Sequence, residues 1–427
     1  MDAFILIGTL LLFIAMGVPV AYSLGLAALV GAWWADIPFE GVMIKISEGV
    51  NRFSLLAIPF FVLAGAIMAE GGMARRLVNF AFVLVGWVRG GLSLVNIVAS
   101  SFFGCISGSS VADTASIGTV MIPQMVKAGY PRVFATNVTI CGSVQAILIP
   151  PSHNAVIYSL AAGGTISVGH LFIAGVFPGL LLGLSLVVLC LVIAHREGYP
   201  KGEAVPFKRS IGIAIDALWG LGTMIIILGG ILSGIFTATE SASIACVYAF
   251  LVTMFIYRDY KWRDLPLLVH RTVKTVAMVM ILIGFASAFG YMMAIMQLPA
   301  KLTAFFLTVS DNKYVVLLLI NLMLLVLGCL MDLAPLLLIC TPILLPVVKT
   351  FGVDPLHFGM IMMVNLGIGL VTPPVGTTLF VGCAVGNVTI EQVMKEIWPF
   401  YGAMLVTLAL VTYVPAISTW LPSLFKF

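Results

Sequence analysis

Two acidic residues stand in otherwise uncharged surroundings, and each heads a stretch rich in backbone-breaking residues. Asp113 closes the run Ser107-Gly108-Ser109-Ser110-Val-Ala-Asp113, and Asp332 sits in Gly328-Cys-Leu-Met-Asp332-Leu-Ala-Pro335. Each is followed by a Pro-Pro pair, Pro150-Pro151 and Pro373-Pro374. Proline lacks a backbone donor and collides with the carbonyl one turn earlier, so a Pro-Pro pair opens a helix and frees carbonyl oxygens. Glycines beside the breaks (Gly142, Gly367, Gly369) let a ligand approach the backbone closely. Unwound carbonyls and the hydroxyls of Ser107, Ser109, Ser110 and Thr372 suit a small hard cation such as Na⁺, and helix amino ends suit a carboxylate. For Asp113 and Asp332 two readings stand: a carboxylate that touches an ion, or one that steadies a hairpin tip through local hydrogen bonds. Glu240 in Thr237-Ala-Thr-Glu240 reads as a helix cap.

The two stretches are copies. Adding 223 to Pro123, Pro150, Pro151, Gly163 and Gly179 gives Pro346, Pro373, Pro374, Gly386 and Gly402. Gly104-Cys105 and Pro131 recur at 224, as Gly328-Cys329 and Pro355. Shared spacing among so many helix breakers marks two repeats whose broken helices meet at a common site.

The elements that must position these groups lie in lipid. The chain is 61% apolar and 9% charged, too few charges to cover a soluble domain of 427 residues. A net charge of +4 gives no reason to expect nucleic acid as a partner. The seven cysteines form no Cys-x-x-Cys pair and read as small buried residues. No Gly-x-x-x-x-Gly-Lys-Ser/Thr run is present, and no His-Glu-x-x-His or similar constellation argues for an intramembrane enzyme.

A span needs about 20 apolar residues. The hydropathy pattern predicts spans at 4–34, 53–69, 131–162 (broken at Pro150-Pro151), 168–194, 211–232, 237–257, 276–296, 356–385 (broken at Pro373-Pro374) and 397–420. Residues 35–52 read as a polar loop, and 77–88 and 299–310 as helices lying along the membrane face. Polar groups in the middle of 90–128 and 313–349 would be costly against lipid, so each stretch is predicted to be a re-entrant hairpin with a protein-buried tip. The first unit then covers 1–195, a basic loop and linking span cover 196–233, and the second unit covers 234–427. Four spans and a fifth that links them turn the second unit over, an inverted arrangement common in secondary transporters. A cytoplasmic amino terminus and periplasmic carboxyl terminus put 15 of the 21 Lys and Arg inside, leaving Lys45, Arg52, Lys301, Lys313, Lys349 and Lys426 outside.

With these residues in view the chain resembles the large membrane subunit of TRAP (tripartite ATP-independent periplasmic) transporters. The resemblance rests on 107–113, Met121-Ile-Pro-Gln-Met125, Ile149-Pro-Pro-Ser152, Thr237-Ala-Thr-Glu-Ser241 and Val371-Thr-Pro-Pro-Val-Gly376, and covers essentially the whole chain. It implies an all-α polytopic membrane protein of the ion-transporter superfamily, with an elevator fold of two inverted repeats. It implies Na⁺-driven uptake of an organic acid, such as a C4-dicarboxylate or sialic acid, across the bacterial inner membrane. A separate small membrane subunit and a periplasmic substrate-binding protein are the implied partners; a stand-alone carboxylate/Na⁺ symporter of the same superfamily is the alternative. Carried onto this chain, one Na⁺ site comprises Ser107, Gly108, Ser109, Ser110, Gly142, Val144 and Pro150. The other comprises Gly328, Asp332, Asn365, Gly367, Gly369, Thr372 and Pro373. Ser109, Asn154, Thr377 and Thr378 are the expected substrate contacts, with Asp113 in support.

Overall fold

The computed structural model describes residues 2–202 and 205–425; Lys426 lies outside them. Apart from one β-bridge between Arg89 and Lys201, its regular structure is helical. Among the described residues seven helices are long and apolar enough to cross a membrane, and two bent helix pairs raise the number to nine. The chain is an all-α polytopic membrane protein.

Two helical hairpins form with their turns at the polar stretches. Helices Gly91–Ser107 and Ser110–Lys127 meet at Gly108-Ser109, and helices Lys313–Leu330 and Leu333–Thr350 meet at Met331-Asp332. Gly108 turns the first tip with φ +58°, and a Cβ there would lie 2.9 Å from the Pro151 carbonyl oxygen. Conformation and close approach therefore both require glycine. Ser109 then caps the returning helix, its side chain accepting from the Ala112 amide.

The broken spans also lie where the proline pairs predict. Arg132–Ser143 and Gln145–Leu148 give way at the cis Pro150-Pro151 bond to His153–Ala161, with a bend of 52°. Pro355–Gly369 gives way at the cis Pro373-Pro374 bond to Thr377–Gly386. Thr237 and Glu240 form a capping box, so Glu240 is the structural cap expected of it.

The amino-terminal third departs from the hydropathy reading. Residues 4–34 are not one span. Helices Asp2–Ala15 and Val20–Trp34 turn at Gly17 (φ +82°), and a Cβ on Gly31 would lie 2.8 Å from the Leu6 side chain. The pair is antiparallel, so the start of the first helix sits at the same end of the molecule as Asp36. A 31-residue apolar run satisfies a hydropathy window whether it is one tilted rod or two short ones; the left-handed glycine decides.

Nor are residues 35–52 a loop. Phe39–Val50 is a helix in series with Ala57–Glu70, interrupted at Asn51-Arg52. Together they run antiparallel to Leu265–Ile295, a 31-residue helix that begins 11 residues before the span predicted at 276–296. Gly41 faces Tyr291 at one end, and at the other Glu70 accepts from Arg271 at 3.2 Å. The helix predicted over 77–88 starts earlier, at Met73–Val85, and the one predicted over 299–310 is Leu298–Val309. The last span is divided into Trp398–Tyr413 and Ala416–Ser423 by Pro415, and follows Ile390–Glu396 at 63°.

One basic end of the molecule is tied together by Arg76. It donates to Asp259 at 2.6 Å and Asp216 at 3.1 Å, and its guanidinium lies 3.7 Å from the centre of the Tyr257 ring. Nearby, the Tyr260 hydroxyl donates to Glu70 at 2.9 Å; burial, then the Glu70 contact, pushes that phenol up to about 12.

Candidate functional site

The first tip packs into the first break. Ser110 Oγ and Ser143 Oγ lie 2.8 Å apart, and Ser143 also accepts from Thr114 Oγ1 at 2.8 Å. Asn154 Nδ2 donates to the Gly108 carbonyl at 3.3 Å, so the amide sits against the tip. Gly104 lies so close to the break that a Cβ would stand 2.7 Å from Ala146 Cα. The Ser152 hydroxyl beside Gly108 is buried without a partner. Buried polar atoms are normally paired, and an orphaned hydroxyl is an oxygen free to meet a ligand.

The second tip repeats the arrangement with different chemistry. The Val375 amide, just beyond the second break, donates to the Cys329 carbonyl at 3.0 Å. Gly328 and Gly369 approach backbone to backbone, where a Cβ on Gly369 would lie 2.6 Å from Gly328 Cα. Asp332 stands at the amino end of its helix but does not cap it; its Oδ1 accepts from Thr377 Oγ1 at 3.2 Å. Thr372 bonds back to the Ile368 carbonyl at 2.7 Å, which leaves its own carbonyl accepting the Gly376 amide.

Adjacent threonines join the two halves. Thr377 reaches the second tip at Asp332, and Thr378 donates to Ser110 Oγ in the first tip at 3.1 Å. Val144 and Gly367, one from each broken span, also meet: a Cβ on Gly367 would lie 2.7 Å from Val144 Cγ1. The duplicated breaks therefore share one polar centre. Its oxygens are hydroxyls, carbonyls and one carboxylate, a donor set that suits a hard cation.

Three expected residues lie elsewhere in this centre or outside it. Asn365 turns away from the second tip and donates to the Asn321 carbonyl at 2.9 Å and side-chain oxygen at 2.8 Å, leaving its own Oδ1 buried and unpaired. Gly142 gives its carbonyl to Gln145 Nε2 at 3.0 Å. Asp113 is fully buried within the first hairpin with both oxygens unpaired, beside the equally unpaired Ser100 hydroxyl. It is not the local tip hydrogen bond that one reading expected. Sequence reasoning missed Ser143, the acceptor shared by Ser110 and Thr114, and Gln145, which takes a 2.6 Å bond from Ser101. Both lie between Gly142 and Pro150, so a polar residue inside a predicted break was the available signal. It also missed Tyr401, whose hydroxyl donates to the Val371 carbonyl at 2.7 Å and braces the second break from the last span.

Paired hairpins facing paired broken spans define a class of membrane transport protein. The same fold is seen in the Alcanivorax borkumensis YdaH transporter, whose crystal structure superposes with a TM-score of 0.60 at 15% identity, covering 90% of this chain and 87% of that one. Residues 7–417 match the family described as "Tripartite ATP-independent periplasmic transporter, DctM component", and the chain belongs to it. The C4-dicarboxylate TRAP transporter large permease DctM of Rhodobacter capsulatus is 37% identical over 437 residues, covering 99% of each chain. The sialic acid TRAP transporter large permease SiaM of Vibrio cholerae is 38% identical over 412 residues, covering 96% of each. The resemblance read from the motifs is thereby established at the level of family and permease class.

Proposed function

We propose that the chain is the large permease of a Na⁺-coupled, binding-protein-dependent transporter that brings an organic acid across the bacterial inner membrane. The observation that supports this most directly is the pair Thr377–Thr378, which ties both hairpin tips to one helix amino end. Na⁺ at the tips would neutralise the local oxygens and complete the cradle for an acid group at that amino end. The first Na⁺ would take oxygens from Ser107–Ser110 and from 142–150. The second would take them from Gly328–Asp332 and from the backbone of 365–373. The names of the DctM and SiaM relatives, a C4-dicarboxylate and a sialic acid permease, support a carboxylate as the cargo class.

Segments 90–162 and 313–385 would move as one body against the remaining helices, carrying cargo and ions from one face to the other. The membrane potential adds about 2.3 kcal/mol per charge per 100 mV. Taking the Arg76 end as cytoplasmic, the antiparallel pair 2–34 supports an external amino terminus in place of the cytoplasmic one expected from the charge count, and the last span supports the expected external carboxyl terminus. A small membrane subunit and a periplasmic binding protein complete the tripartite assembly in this reading.

The test is uptake into proteoliposomes holding this chain and its small subunit, with the ligand-loaded binding protein supplied outside. Accumulation is expected only with an inward Na⁺ gradient and only with the binding protein. Uptake independent of both would sink the reading.

A further inference from the structure

A second polar space lies away from the hairpin tips. It is a cavity of about 300 Å³ walled on one side by helices Phe39–Val50 and Leu265–Ile295 and on the other by Leu160, Leu338 and Pro342. Its walls thus belong to the two bodies that transport would move past each other. Leu338 is six residues beyond Asp332 on a helix, so the cavity opens roughly 9 Å outward of the second tip.

Lys45, Glu48 and Arg52 line it, two cations against one anion. Lys45 is bonded to Glu48 at 2.6 Å and lies 5.7 Å from the centre of the Tyr291 ring. Arg52 has no acidic or carbonyl partner among the described residues. It stands immediately before Phe53–Glu70, the segment long and apolar enough to cross a membrane, and so at the end of that span opposite Glu70. Its guanidinium is therefore available to an anion that enters the cavity. The duplication makes the point sharper. Position 52 plus 224 is Val276, in the unbroken middle of Leu265–Ile295. One copy alone carries both the interruption and the cation.

We propose that this cavity is an anion relay on the outer side of the transport path. Its ligand is an organic anion of one to two carboxylates. Arg52 takes a carboxylate in its fork, which its planar donors match. Lys45, already shared with Glu48, supplies the balancing charge, and the cavity is large enough for a small organic acid. The assignment deepens the transport reading and rests on it for the identity of the cargo, but the site itself is testable without transport.

The test places a thiol reporter in the wall. Gly290 lines the cavity with nothing within 4 Å of its Cβ position, and the other candidate thiols are buried apart from half-buried Cys329. In a Cys329→Ser background, Gly290→Cys is labelled with an anionic and a cationic methanethiosulfonate in phosphatidylcholine nanodiscs. The anionic reagent is expected to react on the order of tenfold faster, as a focused positive potential requires. Adding Arg52→Gln should abolish that preference, Arg52→Lys should keep part of it, and succinate should slow the anionic reagent while choline does not. Should Gly290→Cys fail to fold, Ser287→Cys reports from the same wall. Equal rates for both reagents, or a preference indifferent to Arg52, overturn the proposal. A preference appearing only when phosphatidylglycerol is absent, with no protection by succinate, overturns it in favour of a lipid headgroup site. Loss of Na⁺-dependent uptake with the anion preference intact would instead count against the transport reading.

Discussion

Thr378 Oγ1 donates to Ser110 Oγ at 3.1 Å, a bond between the helix after the second break and the tip of the first hairpin. Its neighbour Thr377 bonds the other tip, so two consecutive side chains reach both hairpins. One helix amino end thereby connects the two tips physically.

Thr378→Val keeps the shape and removes the hydroxyl. Ser110 retains Ser143 as a partner, so the loss in stability should be small, about 0.5–1.5 kcal/mol. Na⁺ dependence should suffer more: the concentration giving half-maximal uptake is expected to rise severalfold, with Thr378→Ser restoring it. An unchanged Na⁺ dependence in the valine variant would remove this bond from the coupling.

Asp332→Ala strips the second tip of its acidic oxygen and leaves Thr377 without its acceptor. Asp332 is exposed and makes no cap bond, so folding should survive, with a melting temperature close to the parent's. Uptake driven by Na⁺ should fall by an order of magnitude or more, since one charge-assisted contact is worth about 1.5–3 kcal/mol. Parent-level uptake would assign the carboxylate no part in ion binding.

Gly369→Ala drives a Cβ to 2.6 Å from the backbone of Gly328, and Gly104→Ala drives one to 2.7 Å from that of Ala146. Backbone cannot swing aside as a side chain does, so each should cost about 1–3 kcal/mol. Gly402→Ala is the control: its Cβ meets nothing within 4 Å in mid-helix, and the change should stabilise by up to about 1 kcal/mol. Thermal unfolding in detergent reads all three, and equal melting temperatures would mean the tips sit looser than described.

Arg76→Ala removes two ion pairs and the stacking on Tyr257 at once. Exposed pairs contribute little singly, but this guanidinium is only 12% exposed and joins three segments. A loss of about 1–2 kcal/mol is expected, with Arg76→Lys recovering only part of it because an ammonium lacks the fork and the flat stacking face. A lysine variant as stable as the parent would show that charge alone is enough there.

Much of this protein was legible in its sequence, because the lipid interior tolerates few solutions. Unpaired peptide groups are prohibitively costly there, so polar runs such as Ser107–Asp113 inside apolar stretches had to be hairpin tips, and Pro150-Pro151 and Pro373-Pro374 had to be breaks. The spacing of these residues disclosed the duplication before any coordinates. The sequence could not distinguish one rod from two in residues 2–34, or a loop from a helix in Phe39–Val50, because a hydropathy window records composition and not direction. Nor could it say that Thr377 and Thr378 face different hairpins, that Asn365 points at Asn321, or that Arg52 opens onto a cavity. Those are facts about side-chain direction at contacts between distant segments, and only packing two half-molecules against each other settles them.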